Sequence, residues 1–177
     1  MVTVELRHTA HVPARTLVAA RRLLDDAFAG DFDDADWDHA LGGLHALAWL
    51  DGELVGHGAL VQRRLVHAGR ALRTGYVEAV AVAVAHRRRG VASAVMDRLE
   101  DAVRGAYDLG ALGATDEGAA LYTARGWLCW RGPTSVLTPA GTVRTPEDDG
   151  AVLVLPGAVT LDLDESLTCD WRDGDAW

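Results

Sequence analysis

The chain has 177 residues, about half of them apolar and a quarter charged, which suffices for one sizeable core and excludes global disorder. Its formal charge of -9 disfavours nucleic acid and anionic lipid as partners and favours cationic ligands, although a solvated acidic face has the same composition. No apolar run reaches the roughly 18 residues of a membrane span, and Met1 leads straight into an alternating pattern, so neither a span nor a signal peptide is expected. Cys129 and Cys169 are far apart and lack a CxxC spacing, which reads as two ordinary thiols in a reducing cytoplasm. His8 and His11, at a strand end before Pro13, do not share a helical face, and no metal site is expected.

Residues 2–8 alternate apolar and polar side chains and predict a strand with one buried face. Pro13 suits a first helical turn, and Leu17, Ala20, Leu24 and Phe28 form a helical stripe ending at Gly30. Residues 31–43 set Asp31, Asp33, Asp34, Asp36 and Asp38 around Phe32 and Trp37 and close on Gly42-Gly43. A short helix entered at Asp34 or Asp36 accounts for part of this through N-capping; aromatics among carboxylates would equally form one wall of a pocket for a cation.

Residues 45–50 and 53–64 read as strands joined by the hairpin signal Asp51-Gly52, and the turn His67-Ala68-Gly69-Arg70 leads into a third strand over 71–84. From Val77 to Val84 every residue except Glu78 is apolar, so both faces of this strand are expected to be covered. Alternation places Tyr76, Glu78, Val80 and Val82 on one face and Val77, Ala79, Ala81 and Ala83 on the other. From Gly90 the period changes, and Val91, Val95, Leu99, Ala102 and Ala106 form a helical stripe that stops near Tyr107.

Residues 109–114 suit a short buried strand, Glu117 to Arg125 a helix closed by Gly126, and Trp127 to Trp130 another strand. Beyond Pro133 turn residues dominate, with late strands at Val152 to Leu155 and Val159 to Leu163. No internal repeat or long linker divides the chain, so one domain over residues 1–177 is expected, of class α+β with a mixed, mostly antiparallel sheet.

The chemistry concentrates at one junction. Arg87-Arg88-Arg89-Gly90-Val91-Ala92 follows a buried strand and opens an amphipathic helix. Glycine permits positive φ, the first helical amides and the macrodipole favour an anion such as a pyrophosphate, and the arginines add charge-assisted hydrogen bonds. A surface arginine cluster ending a strand is the alternative.

This stretch resembles the coenzyme A motif of the GCN5-related N-acetyltransferase (GNAT) superfamily, and the order of strands and helices is similar to that fold along nearly the whole chain. Ala120-Leu121-Tyr122 followed by Arg125-Gly126-Trp127 resembles a second segment of the superfamily, in which a tyrosine lies near the cofactor sulfur. Further segments resemble the aminoglycoside 2'-N-acetyltransferases of actinobacteria: Phe28-Ala-Gly-Asp-Phe32, Asp36-Trp37, Leu41-Gly-Gly-Leu-His-Ala46, Gly75-Tyr-Val-Glu78, Arg104-Gly-Ala-Tyr107, Gly132-Pro-Thr-Ser-Val-Leu137, Arg144-Thr-Pro-Glu-Asp-Asp149 and Cys169-Asp-Trp-Arg172 with Gly174-Asp175 and Trp177.

The resemblance implies a GNAT fold, a splayed sheet flanked by helices, and acetyl-CoA as cosubstrate. It implies that Val80, Ala81 and Val82 line the pantetheine arm with their backbone and that Arg87, Arg88, Arg89, Gly90, Val91 and Ala92 hold the pyrophosphate. Glu78 is then the general base, directly or through water, and Tyr122 the general acid. The residue-level alternatives are a structural Glu78 paired with Arg73 and a Tyr122 that belongs to the core.

A cationic aminoglycoside is the implied substrate, with Asp31, Asp36, Glu78, Asp148, Asp175 and the terminal carboxylate of Trp177 as its contacts, and a homodimer is implied as well. Gly113 departs from the family, which places a serine beside the acceptor there. Another cationic amine as acceptor (a polyamine, a cell-wall amino sugar or a thiol precursor), or a non-catalytic binding module, fits the same residues.

Overall fold

The structure is a computed structural model and describes the chain from Met1 to Trp177, apart from the side chains of Asp116 and Glu117. In chain order the elements are β1 (Thr3–His8), α1 (Ala14–Ala27), α2 (Asp34–Ala40), β2 (Leu44–Leu50), β3 (Glu53–His67), β4 (Arg70–Val82) and α3 (Val91–Ala106). There follow β5 (Leu109–Gly113), α4 (Asp116–Ala124), β6 (Leu128–Cys129), β7 (Thr134–Thr138), β8 (Gly141–Arg144), β9 (Val152–Pro156) and β10 (Leu167–Asp170). No helix among the described residues is long and apolar enough to cross a membrane. The chain forms two compact units, Met1–Val61 with Val77–Asp101, and Gln62–Tyr76 with Ala102–Trp177; β3 and β4 contribute residues to each.

In the first unit β1 pairs antiparallel with β2 from Thr3↔Trp49 to His8↔Leu44, and β2 with β3 from Leu44↔Leu60 to Leu50↔Glu53. Asp51 and Gly52 both take positive φ, 51° and 86°, as the expected two-residue hairpin requires. Pro13 is the N-cap of α1, not part of its first turn, and the buried stripe is Thr16, Ala20, Leu23 and Leu24, rotated from the expected one. Leu23, Leu24 and Phe32 pack with Ala81, and Ala79, Ala83, Trp37 and Leu54 close the same cluster. On β3 a Cβ at Gly56 would stand 2.7 Å from Val91 Cγ1 and one at Gly58 2.8 Å from Val95 Cγ1, so these glycines let α3 lie directly on the strand backbone.

Two histidines are fully buried in this unit. His45 Nδ1 lies 2.9 Å from His57 Nε2, and His57 Nδ1 lies 2.8 Å from the Ala79 carbonyl oxygen. Burial pushes both imidazoles down from 6.5 to about 4.

In the second unit the strand order is β6-β9-β5-β4-β3-β10-β7-β8. The β4–β5 and β7–β10 pairs are parallel and the other described pairs antiparallel, which is the mixed, mostly antiparallel α+β arrangement expected. Pairing of β4 with β5 covers only Thr74↔Leu109 to Tyr76↔Ala111, whereas β4 runs on to Val82. Trp127 and Trp130 are buried here, the latter donating its indole N–H to the Glu165 carbonyl at 2.9 Å.

Three strands of this unit, β7, β8 and β10, were not expected, and residues 159–163, expected as a strand, form none. Asp162 is the reason. Its Oδ1 accepts the Asp164 amide at 3.0 Å and its carbonyl the Glu165 amide, so an aspartate turn competes with the extended chain. The Leu163 carbonyl meanwhile accepts the Arg131 and Gly132 amides at 2.9 and 2.8 Å.

Two glycines should respond oppositely to alanine. A Cβ at Gly132 would lie 1.9 Å from the Glu165 carbonyl oxygen, a backbone atom that cannot step aside, whereas one at Gly105 in α3 meets nothing within 4 Å. Urea unfolding should show Gly132→Ala destabilised by about 3 kcal/mol and Gly105→Ala stabilised by up to about 1 kcal/mol.

The buried histidines set a second expectation. Their folded pKa lies below the unfolded value, so their contribution is complete above pH 6.5 and is lost as pH falls toward 4. Unfolding free energy should therefore drop by about 1.4 kcal/mol per pH unit for each histidine across that window. A His45→Gln, His57→Gln double variant should show a flatter slope in the same denaturant titrations.

Candidate active site

Glu78 and the segment Val80–Val82 lie on β4 in the first unit, Glu78 half-buried. Between them Ala79 takes φ 51°, a left-handed residue inside a strand and the signature of a bulge. Beyond it Ala79, Ala81 and Ala83 face the α1 cluster, while Val80 approaches Gly58 on the side of Val95 and Leu99. The expected alternation thus holds from Ala79 to Ala81, with Ala83 again on the face of Ala79, and the positive φ of Ala79 is what departs from a regular strand.

The arginine-glycine loop follows in the same unit. Arg88 and Gly90 take φ 59° and 79°, and the Gly90 carbonyl accepts the Ala94 amide at 3.0 Å as the first bond of α3. The amides of Val91, Ala92 and Ser93 therefore have no partner within the helix, and Arg88 and Arg89 are exposed beside them. Arg87 is used differently: its Nη2 donates to the Ala27 carbonyl at 3.1 Å and its Nε to the Val82 carbonyl at 3.3 Å, tying the end of α1 to the end of β4. The donor set that remains, three helical amides at the positive end of a 16-residue helix with two guanidinium groups, fits a pyrophosphate.

Asp31 and Asp36 belong to this unit as well. Asp31 is exposed; Asp36 closes a capping box at the start of α2, its Oδ2 accepting the Asp33 amide at 2.9 Å while Asp33 Oδ1 accepts the amides of Ala35 and Asp36. Trp37 packs 6.2 Å from the His57 ring, and His57 holds Ala79. One chain of contacts therefore joins the residue after Asp36 to the residue after Glu78.

Tyr122, Asp148, Asp175 and Trp177 belong to the second unit. Tyr122 is buried edge-on to Trp127, its ring 6.0 Å away, and burial pushes its phenol up to about 12. The Asp148 carboxyl is raised by burial against the opposing Thr145 hydroxyl, and by the charges of Glu147, Asp175 and Asp149. The Trp177 indole donates to Thr145 Oγ1 at 3.0 Å, and a Cβ on Gly113 would stand 3.4 Å from the Trp177 main chain. Asp148, Asp175, Trp177 and Gly113 are thus gathered around one place in this unit. Arg73, the alternative partner weighed for Glu78, bonds Asp108 through its amide at 2.7 Å, with its guanidinium 3.7 Å from the same carboxylate.

Sequence reading missed the residues that hold these groups. Arg63 is buried, donates to Asp170 Oδ1 (2.7 Å), the Asp170 carbonyl (2.8 Å) and the Ala176 carbonyl (2.7 Å), and lies over the Tyr76 ring. It anchors the segment that carries Asp175 and Trp177. An arginine beside another, Arg63-Arg64, near the expected end of a strand carries no such signal. His45 and His57 were missed too; the register of the Asp51-Gly52 hairpin, which sets them diagonally across β2 and β3, is the signal that pairs them.

A family model described as an acetyltransferase (GNAT) domain matches residues 11–129. The chain is 54% identical over 179 residues to the aminoglycoside 2'-N-acetyltransferase of Mycolicibacterium fortuitum, covering 99% of this chain and 92% of that protein. Among solved structures it is similar to a GNAT family N-acetyltransferase, YhbS, from Escherichia coli in complex with CoA, with TM-score 0.64 and 17% identity over 94% of this chain and 88% of that one. ElaA of Escherichia coli matches with TM-score 0.61 and 20% identity over 88% and 98% of the two chains. The chain belongs to the GNAT acetyltransferase family and is an acyltransferase.

Proposed function

We propose that the protein transfers an acetyl group from acetyl-CoA to the 2'-amine of aminoglycosides. The observation that carries this reading is the 54% identity across nearly the whole chain to a protein of that activity. The acids support it. Asp148 is pushed toward its neutral form by burial and by Asp175, Glu147 and Asp149, and a polycation is the ligand that relieves such a cluster.

When bound, acetyl-CoA supplies an activated thioester, which an uncharged amine attacks, forming the C–N bond and breaking the C–S bond. An alkylammonium has a pKa of about 10 in water, so a base must take its proton. Glu78 is the carboxylate of β4 for that task, directly or through water. The Val80 amide polarises the thioester carbonyl, and the main chain of Val80, Ala81 and Val82 aligns the arm. Val91, Ala92 and the exposed Arg88 and Arg89 hold the pyrophosphate, with Gly90 turning the loop and Arg87 bracing it.

Tyr122 carries its proton at neutral pH as any tyrosine does, and burial, which pushes its phenol up to about 12, makes it a weaker acid still. Breaking the C–S bond releases a thiolate, whose thiol has a pKa of about 8.5. Tyr122 donates a hydrogen bond to it, short of the full transfer expected of a general acid, and the proton that the nitrogen sheds on becoming an amide neutralises the sulfur. Asp31, Asp36, Asp148, Asp175 and the end of the chain at Trp177 bind the polyamine.

Thiol release with acetyl-CoA should be fast with aminoglycosides that carry a 2'-amine and slow with those that lack one; equal rates would remove the regiochemical assignment. Glu78→Gln should lower kcat by about a hundredfold, and unchanged turnover there, with no thiol released from any amine, would favour a binding module. Tyr122→Phe should lower kcat by at least about tenfold with little change in KM. Gly113→Ser has room for its Cβ and should leave the melting temperature unchanged while redistributing KM values among aminoglycosides.

A further inference from the structure

Ala79 is an alanine in the left-handed region, at φ 51°, in the middle of β4. A non-glycine residue there costs on the order of 1 kcal/mol and persists only when its surroundings enforce it. Its position is what gives it weight. Glu78 precedes it and Val80 follows it, so the turn of one peptide sets the aim of the proposed base and of the amide that faces the thioester. The Ala79 carbonyl, turned by this conformation, lies 2.8 Å from His57 Nδ1.

The protonation pattern behind that contact follows from what each atom can do. A carbonyl oxygen only accepts, so His57 Nδ1 carries the hydrogen. A neutral His57 then accepts at Nε2, and the ring 2.9 Å away, His45, donates from Nδ1. His45 Nε2 is left to accept from Thr9 Oγ1 at 2.8 Å, the shorter of the two contacts open to that one hydroxyl hydrogen. The Gly43 carbonyl, 3.1 Å from the hydroxyl, already accepts the Thr9 amide, and Thr9 Oγ1 itself accepts the Gly42 amide at 2.9 Å. Both imidazoles are held neutral by burial. Every hydrogen in the series Thr9, His45, His57, Ala79 points toward β4.

Such a series could be read as a proton wire or as a clamp, and its end decides. A wire needs a terminal group able to take up and release a proton, which a peptide carbonyl does not do at ordinary pH. We propose that His57, set in its tautomer by His45 and Thr9, is a positioning residue for acetyl transfer: its Nδ1–H fixes the left-handed Ala79 peptide and with it the aim of Glu78 and of the Val80 amide. Trp37, packed on both rings at 6.3 and 6.2 Å, holds the pair from the side of α2. This inference rests on the acetyl-transfer reading above.

Asparagine can place an N–H where His57 Nδ1 stands, glutamine reaches the place of Nε2 instead, and leucine offers neither. In the full-length protein, with acetyl-CoA and an aminoglycoside bearing a 2'-amine, His57→Asn should keep kcat within about threefold of wild type, and His57→Leu should lose at least about tenfold, as a misaimed reacting group does. Both variants lose the bond to His45, so their melting temperatures should fall together while their kcat values part, which loss of stability alone would not produce. Where His57→Leu does not fold, His57→Gln carries the same contrast with asparagine. Equal kcat for asparagine and for leucine or glutamine overturns the inference, and a wild type that releases no thiol overturns the acetyl-transfer reading itself.

Discussion

A carbonyl that leaves its ladder inside a sheet needs another donor, and the first unit is arranged around meeting that need at Ala79. The left-handed alanine turns one peptide of β4, and the ring of His57 on the neighbouring β3 supplies the N–H. From that contact the unit extends outward through named partners: His45 orients His57, Thr9 orients His45, and Trp37 of α2 covers both rings. The arrangement tolerates no charge. Burial disfavours the charged form of both rings and so depresses their pKa values, and a second proton on His57 would also set its Nε2–H against the His45 Nδ1–H.

The second unit solves a different problem, that of concentrating acids without collapsing their charge. Asp149 and Asp164 are neutralised at close range by Arg144 and Arg131 and titrate below the usual carboxylate range. At Asp148 burial and the neighbouring acids push the other way. Adjacent aspartates therefore differ in kind: Asp149 is paired with an arginine, and Asp148 is shifted toward its neutral form. Arg63 serves the same end indirectly, because its buried guanidinium is consumed by Asp170 and the Ala176 carbonyl and so anchors the segment bearing Asp175 and Trp177.

Most of the fold was legible because its signals are local. Alternation marked β1, the Asp51-Gly52 turn marked the β2–β3 hairpin, and the change of period at Gly90 marked α3. The failures are local too. Residues 159–163 alternate like a strand, but the Asp162 side chain captures a nearby amide first. β10 was missed for the opposite reason, because it pairs only with strands distant in sequence, Leu167↔Thr134 and Leu167↔His67 for example; β7 and β8 form a short hairpin, Thr138↔Gly141, set among turn residues. At the site, the types and positions of Glu78, Tyr122 and the arginine-glycine loop were readable, whereas the use of Arg87 as a brace between Ala27 and Val82 was not.

The amino-acid sequence by itself determined the junction of a buried strand with an arginine-glycine loop and a helix start, because glycine, arginine and a change of apolar period act over a few neighbouring residues. It determined the acid-rich composition that suits a polycation for the same reason, since charge is additive along a chain. Only the tertiary structure decided which aspartates are paired with arginine, which acceptor and donor each buried histidine meets and where β4 takes a positive φ. Those outcomes depend on which donor meets which acceptor across distances of 22 residues for His57 and Ala79 and 107 for Arg63 and Asp170, and no local propensity encodes that choice.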